Sequence, residues 1–216
     1  MADIFAKQER SEIFKSFQAN IKKKDSSDAG KQSLLALRAE LSAIYEYIFD
    51  VCNDDDFCKM PIASDKTIAY YVYHLIRIED ITSNTLIAGK EELFFSKKFG
   101  SLLNSPIITT GNELVRDDLT EFSKALDINQ LKNYVSAVYA NTNAIIQNMS
   151  FEDSKTKVSA ERKAELTKLT VVAASQMWLV DYWCNKTYAG LLLMPLSRHQ
   201  MMHLDGCLRI IKKIKK

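Results

Sequence analysis

Three histidines, His74, His199 and His203, are the whole histidine content of the 216-residue chain. His199 and His203 stand four apart in a segment that reads as helix, which puts both imidazoles on one face about one turn apart. That spacing lets two nitrogens reach one ion at about 2.0–2.1 Å. His74 falls inside a second helical apolar pattern, on the inner face of another helix. Two ligands from one helix and one from a facing helix make a three-nitrogen site in a bundle core, with positions left for water or substrate. The plainer reading is three buried histidines that bind nothing, and spacing alone leaves it open. Gln200 rather than Glu follows His199, so the H-E-x-x-H pattern of zincin hydrolases is absent.

Other residues invite weaker assignments. Cys207 follows His203 by four, but it lies about 12 Å along the axis from His199 and reads as a core thiol rather than a fourth ligand. Glu79 or Asp80 could accept a hydrogen bond from a metal-bound imidazole, although helices carry many acids with no such role. Trp178, Tyr182, Trp183 and Tyr188 cluster before the histidine pair and read more readily as core than as a substrate wall. Gly206 suggests close approach of a neighbouring helix. The terminal Lys212, Lys213, Lys215 and Lys216 suit the negative end of a helix. No catalytic side chain beyond the histidines can be named.

The elements that must position these residues are helical. Ile4, Ile13, Phe14, Phe17 and Ile21 share a face in an added N-terminal helix over 4–21, followed by a polar stretch to 28. Leu34, Leu37, Leu41, Ile44 and Ile48 mark a long amphipathic helix over 31–52, closed by the acidic run from Asn53 to Asp56. Ser64 or Asp65 caps a helix that carries Ile68, Tyr71, His74, Leu75 and Ile78 to about Ile87, with Gly89 as the stop. Residues 90–127 lack a clean period and contain Gly100, Pro106 and Gly111, which predicts a long crossover with short helical pieces, joining helices that run parallel. A helix over 129–149 and a polar loop over 150–157 come next. The first half of 159–193 favours helix, while its apolar second half fits a buried helix, a short strand or a pocket wall. After Pro195 and Ser197 a last helix carries His199, Met202, His203, Gly206 and Ile210 on its inner side.

Composition agrees with one all-α domain. The chain is 47% hydrophobic and 26% charged, with six Gly and three Pro, too few turn formers for a many-stranded β protein. Twenty-nine basic against 27 acidic residues give no general electrostatic attraction for nucleic acid. No apolar run reaches the roughly 18 residues of a membrane span and the start is polar, so a cytosolic protein with no membrane partner is expected. Four cysteines without C-x-x-C spacing are expected to be reduced thiols.

Two segments carry a resemblance. Tyr70-Tyr71-Val72-Tyr73-His74-Leu75-Ile76-Arg77-Ile78-Glu79-Asp80 resembles the second helix of DinB/YfiT-like proteins, where an acid follows a histidine within about a turn and a half. Arg198-His199-Gln200-Met201-Met202-His203-Leu204-Asp205-Gly206 is similar to that family's last helix, and the order of motifs matches over most of residues 31–213. The resemblance implies a DinB-like up-down-down-up four-helix bundle with a long crossover, occupying 29–216 behind an extra N-terminal helix and linker over 1–28. It implies one divalent ion, nickel or zinc, on His74, His199 and His203, and a small-molecule substrate. It also implies activities such as S-transfer or isomerisation with a low-molecular-weight thiol: mycothiol, bacillithiol or glutathione. Many members have no known activity, so a non-catalytic helical interaction or sensor module stays as the alternative, and a homodimer is left open. The chain departs from the common pattern in its N-terminal helix, in a long insertion before the fourth helix, and in Gly206 standing three residues after His203 rather than two.

Overall fold

The computed structural model describes residues 7–216; Ile4, the expected start of the first helix, lies outside the described residues. Four long helices form the bundle: α2 (Ser27–Val51), α4 (Ile68–Asp80), α8 (Ile128–Asn148) and α13 (His199–Ile214), with α1 (Lys7–Asn20) packed along α2. Shorter helices connect them: α3 (Asp54–Cys58), α5 (Leu93–Ser96), α6 (Phe99–Leu102), α7 (Asp118–Ala125), α9 (Phe151–Lys155), α10 (Ala160–Leu169), α11 (Trp178–Cys184) and α12 (Tyr188–Leu193). Among the described residues the only β pairing is an isolated antiparallel bridge between Lys157 and Thr187.

Side-chain contacts fix the direction of each helix. Arg38 donates to the Leu196 carbonyl and Tyr45 to Gln200, so α2 and α13 climb together. Gln200 bonds Glu79 while Arg209 bonds Asp65, so α4 runs against them. Tyr134 reaches Asp80 and Thr142 reaches Ser83, which makes α8 parallel to α4. The order is up-down-down-up, and the stretch between Gly89 and Asp127 is the crossover that two consecutive parallel helices require. Leu34, Leu37, Leu41, Ile44 and Ile48, the expected stripe of α2, are all buried in the core. Each contributes about 1.5–3 kcal/mol of burial.

α4 is the centre of the bundle. Every residue from Ile68 to Asp80 is buried, charged ones included. Thr67, not Ser64 or Asp65, caps it by accepting from the Tyr70 amide at 3.1 Å; the Asp65 carboxylate is instead held by Arg209 at 2.8 Å. Beyond Asp80 the helix widens into a π segment, Ile81–Ala88, ending at Gly89 with φ 64°, a left-handed stop that glycine accepts without strain. A second π segment, Met194–Arg198, leads directly into α13.

Two expectations are corrected by the same local chemistry. The acidic run after α2 does not merely end that helix but starts α3, and the expected polar loop over 150–157 contains α9. In each, a capping box closes the first turn: Asn53 with Asp56, and Ser150 with Asp153. The cap satisfies amides that a five-residue helix would otherwise leave unpaired, and the acids suit the positive helix end. The uncertain stretch 159–193 resolves into helices, with no strand. Met202, expected on the inner side of α13, is 53% exposed.

Candidate metal centre

α4 and α13 bring the three histidines together. The ring centroids of His74 and His199 are 5.0 Å apart, those of His74 and His203 5.3 Å, and those of His199 and His203 4.6 Å. One ring nitrogen from each lies within 4.8 Å of the others. The Nε2 atoms of His74 and His199 are separated by 3.2 Å. Two ligands on one ion at 2.0–2.1 Å and tetrahedral angles stand about 3.3 Å apart, so this pair is already at ligand spacing. The site expected from the sequence is therefore assembled, and the three histidines could hold a metal ion.

The protonation states fit a cation. His74 Nδ1 lies 2.8 Å from the Thr110 carbonyl; a carbonyl only accepts, so Nδ1 carries the proton and Nε2 keeps its lone pair for the site. Burial, then the neighbouring His203, pushes the His74 pKa down to about 3. Burial, then His74 and His203, holds His199 well below the ordinary histidine value. His203 falls to about 4 through burial, then Lys66 and Arg209, with Asp65 opposing. All three are neutral at pH 7, the form that binds a metal. His199 Nδ1 is buried without a protein partner. If His199 Nδ1 carries the proton, two lone pairs face each other across 3.2 Å, and a cation between them removes the repulsion.

Neighbouring groups hold the rings in place. Tyr70 stacks on His74 with planes 9° apart, and Tyr71 stacks on His203 at 5.0 Å. A Cβ on Gly206 would lie 3.1 Å from Cε2 of Tyr71, so this glycine does mark a close approach of α4 to α13. The carbonyls of the crossover are gripped by α4: Tyr73 donates to Ile107 and Thr109, Arg77 to Ile108 at 2.7 Å, and His74 to Thr110. Arg77 is anchored in turn by Glu92 at 2.9 Å and by Tyr134.

Glu79 and Asp80 are not the acceptors for a ligand imidazole. Glu79 is fully buried against Arg38 at 2.7 Å and accepts from Gln200, so it fixes the turn of α13 that bears His199 rather than the ring itself. Asp80 accepts from Tyr134, Asn84 and the backbone amides of Leu93 and Phe94. The acceptor that sequence reasoning missed, the Thr110 carbonyl, has no side-chain signature. Arg77, which steadies the loop bearing it, reads in the sequence as an ordinary helix arginine.

The histidines open onto a cavity of about 320 Å³, lined also by Lys66, Asn112, Trp178, Tyr182, Trp183 and Met194. Trp178, Tyr182 and Trp183 are thus a pocket wall rather than simply core, whereas Tyr188 lies at a different surface hollow. Among the described residues no Asp or Glu lines the histidine cavity. Cys207 is fully buried in the core, outside the histidine cluster, and burial pushes its thiol up. Among the described residues no fourth His, Cys, Asp or Glu joins the three, and no helix is long and apolar enough to cross a membrane.

No protein-family model and no curated protein matches the sequence. Among solved structures, the fold is similar to that of a conserved protein of locus from Enterococcus faecalis, with a TM-score of 0.60 at 14% identity over 83% of this chain and 94% of that one. At that identity the likeness shows the helical fold alone.

Proposed function

We propose that the chain is a divalent-metal-dependent enzyme of the DinB/YfiT-like kind that transfers a small thiol to an electrophilic substrate. The observation that carries this reading is the convergence of three neutral imidazoles on one cavity, with no fourth protein ligand and no lining carboxylate among the described residues. A structural site is normally closed by four protein ligands, whereas three leave a position for a reactant. The up-down-down-up order, with His74 on the second long helix and the pair on the fourth, supports the family resemblance. Nickel or zinc suits an all-imidazole donor set.

A divalent ion held by these residues would lower the pKa of a bound thiol, which when free, near 8.5, is mostly protonated at pH 7. The protein's own groups do the rest. His74, His199 and His203 bind as neutral donors, Thr110 fixes the tautomer of His74, and Trp178, Tyr182 and Trp183 give a bound substrate an apolar surface. None of the histidines acts as a base. No acid stands at the position from which zincins activate water, which favours transfer over hydrolysis.

The test is a panel of bacillithiol, mycothiol, glutathione and cysteine against model electrophiles with zinc- or nickel-loaded protein. Turnover that disappears in both His74→Ala and His199→Ala is expected. Turnover that survives both substitutions, or none with any thiol at full metal occupancy, favours the non-catalytic interaction module.

A further inference from the structure

Lys66 occupies an unusual place on the cavity wall. It is partly buried, its ammonium sits 4.7 Å from the centroid of the Tyr70 ring, and Tyr70 stacks on His74. Among the described residues no carboxylate pairs with it. The adjacent Asp65 is engaged by Arg209 and Tyr71, and Glu113 accepts from Thr109. Arg116, whose guanidinium donates to the Asp65 carbonyl, adds positive charge on the same side. Burial, then Arg116, lowers the Lys66 pKa, as for a cation that has lost water and gained no counter-ion. Asn112 lines the same cavity, and its Oδ1 is taken by the Thr110 hydroxyl, which leaves its NH2 group to donate.

The same cavity is lined by aromatic rings. Trp178 is 57% exposed and Tyr182 39%, an uncommon exposure for rings with so much apolar surface. A lysine extended along a surface merely to keep its charge in water would account for Lys66 alone. It would not account for an unneutralised cation, a free amide donor and exposed aromatic rings in one cavity that no acid lines among the described residues.

We propose that the cavity is built for a ligand bearing a carboxylate, paired by Lys66 and the Asn112 amide, whose apolar body rests on Trp178, Tyr182 and Trp183. This deepens the small-molecule reading of the site and rests on it, while requiring no metal. A carboxylate rather than a neutral head is the complement of a single ammonium beside an amide donor. The aromatic wall then selects a flat or hydrophobic body.

Both tryptophans of the chain line this cavity, so their fluorescence reports its occupancy directly. Binding of 3-phenylpropanoate and of its neutral isostere 3-phenylpropanamide is titrated with zinc-loaded and with chelator-treated protein, in wild type, Lys66→Met and Lys66→Arg. The expected result is a preference for the carboxylate of about ten-fold, or about 1.4 kcal/mol. It is present with and without zinc, kept in Lys66→Arg, and reduced below about two-fold in Lys66→Met, whose zinc content and melting temperature match wild type. If Lys66→Met fails to fold, loss of the preference on acetylating the lysines of the folded wild type supports the assignment, and its retention overturns it. A preference that survives in folded Lys66→Met overturns the proposal. So does one seen only with zinc bound, where the ion itself takes the carboxylate, and so does binding of neither probe. A Lys66-dependent preference in a protein that binds no zinc upholds the proposal and removes the metal-dependent reading.

Discussion

Replacing Arg77 by Met separates what holds the bundle together from what holds the site. Arg77 is fully buried; it pairs with Glu92 at 2.9 Å, donates to Tyr134, and donates to the Ile108 carbonyl at 2.7 Å. Methionine fills much of the volume but leaves the Glu92 carboxylate buried with Thr85 as its remaining side-chain partner. Breaking a buried pair from one side costs about 3–5 kcal/mol. Tyr134 and Asp80 keep their mutual bond at 2.7 Å, but Asp80 also loses the guanidinium 3.6 Å away, so the loss falls on both acids and on the loop. The second consequence is local: with the Ile108 carbonyl released, the Thr110 carbonyl two residues on is less firmly placed, and the His74 tautomer with it. Loss of such an orienting group typically lowers metal affinity by about 10–100-fold. Adding Glu92→Gln removes one of the two stranded charges and leaves Asp80, so Arg77→Met/Glu92→Gln is expected to regain part of the stability but little of the metal affinity. Urea unfolding in chelator measures the first quantity, and competition with a chromophoric chelator the second. A stability loss below about 1 kcal/mol in the single variant, or full metal affinity in the double one, would refute the clamp.

Acid should weaken the protein through the same histidines. Because His74 (about 3) and His203 (about 4) titrate below the ordinary 6.5, the unfolded chain binds more protons between those values. Their contribution is therefore present above pH 6.5 and lost as pH falls towards 3–4. Zinc competes with protons only where the folded histidines titrate, so the gap between thermal melts with and without chelator, clear at pH 8, should close as pH falls through about 4 towards 3; a gap that does not shrink there counts against histidine ligation. Thr67→Ala, which removes the cap of α4, should cost about 1 kcal/mol, read by urea unfolding, whereas Ser64→Ala should change little; equal effects would return the cap to the sequence-based position.

The long elements were legible because their apolar spacing is regular: the leucines and isoleucines of α2 and the Leu131, Val135 and Val138 series of α8 are buried as their period predicts. The histidine cluster was legible because the residue type is rare and the pair has a helical interval. What escaped were features without a period. α3 and α9 are too short for one, although the Asn53/Asp56 and Ser150/Asp153 spacings are signals a capping search would find. The π segments beside Asp80 and His199 carry no periodic signature, and such bulges often stand at functional sites. Glu79 and Asp80 are both open in the sequence as acceptors for a metal-bound imidazole; the ion-pair partner of Glu79 is Arg38, 41 residues away. Chain proximity says nothing about which buried cation a buried acid will meet.

The central claim is that His74, His199 and His203 form one metal site, and elemental analysis joined to zinc titration of tag-free protein tests it most directly. The account predicts close to one divalent ion per chain in the wild type and its loss in His203→Ala, since two remaining imidazoles are a poor site for zinc. Unchanged metal content and affinity in His203→Ala would contradict it.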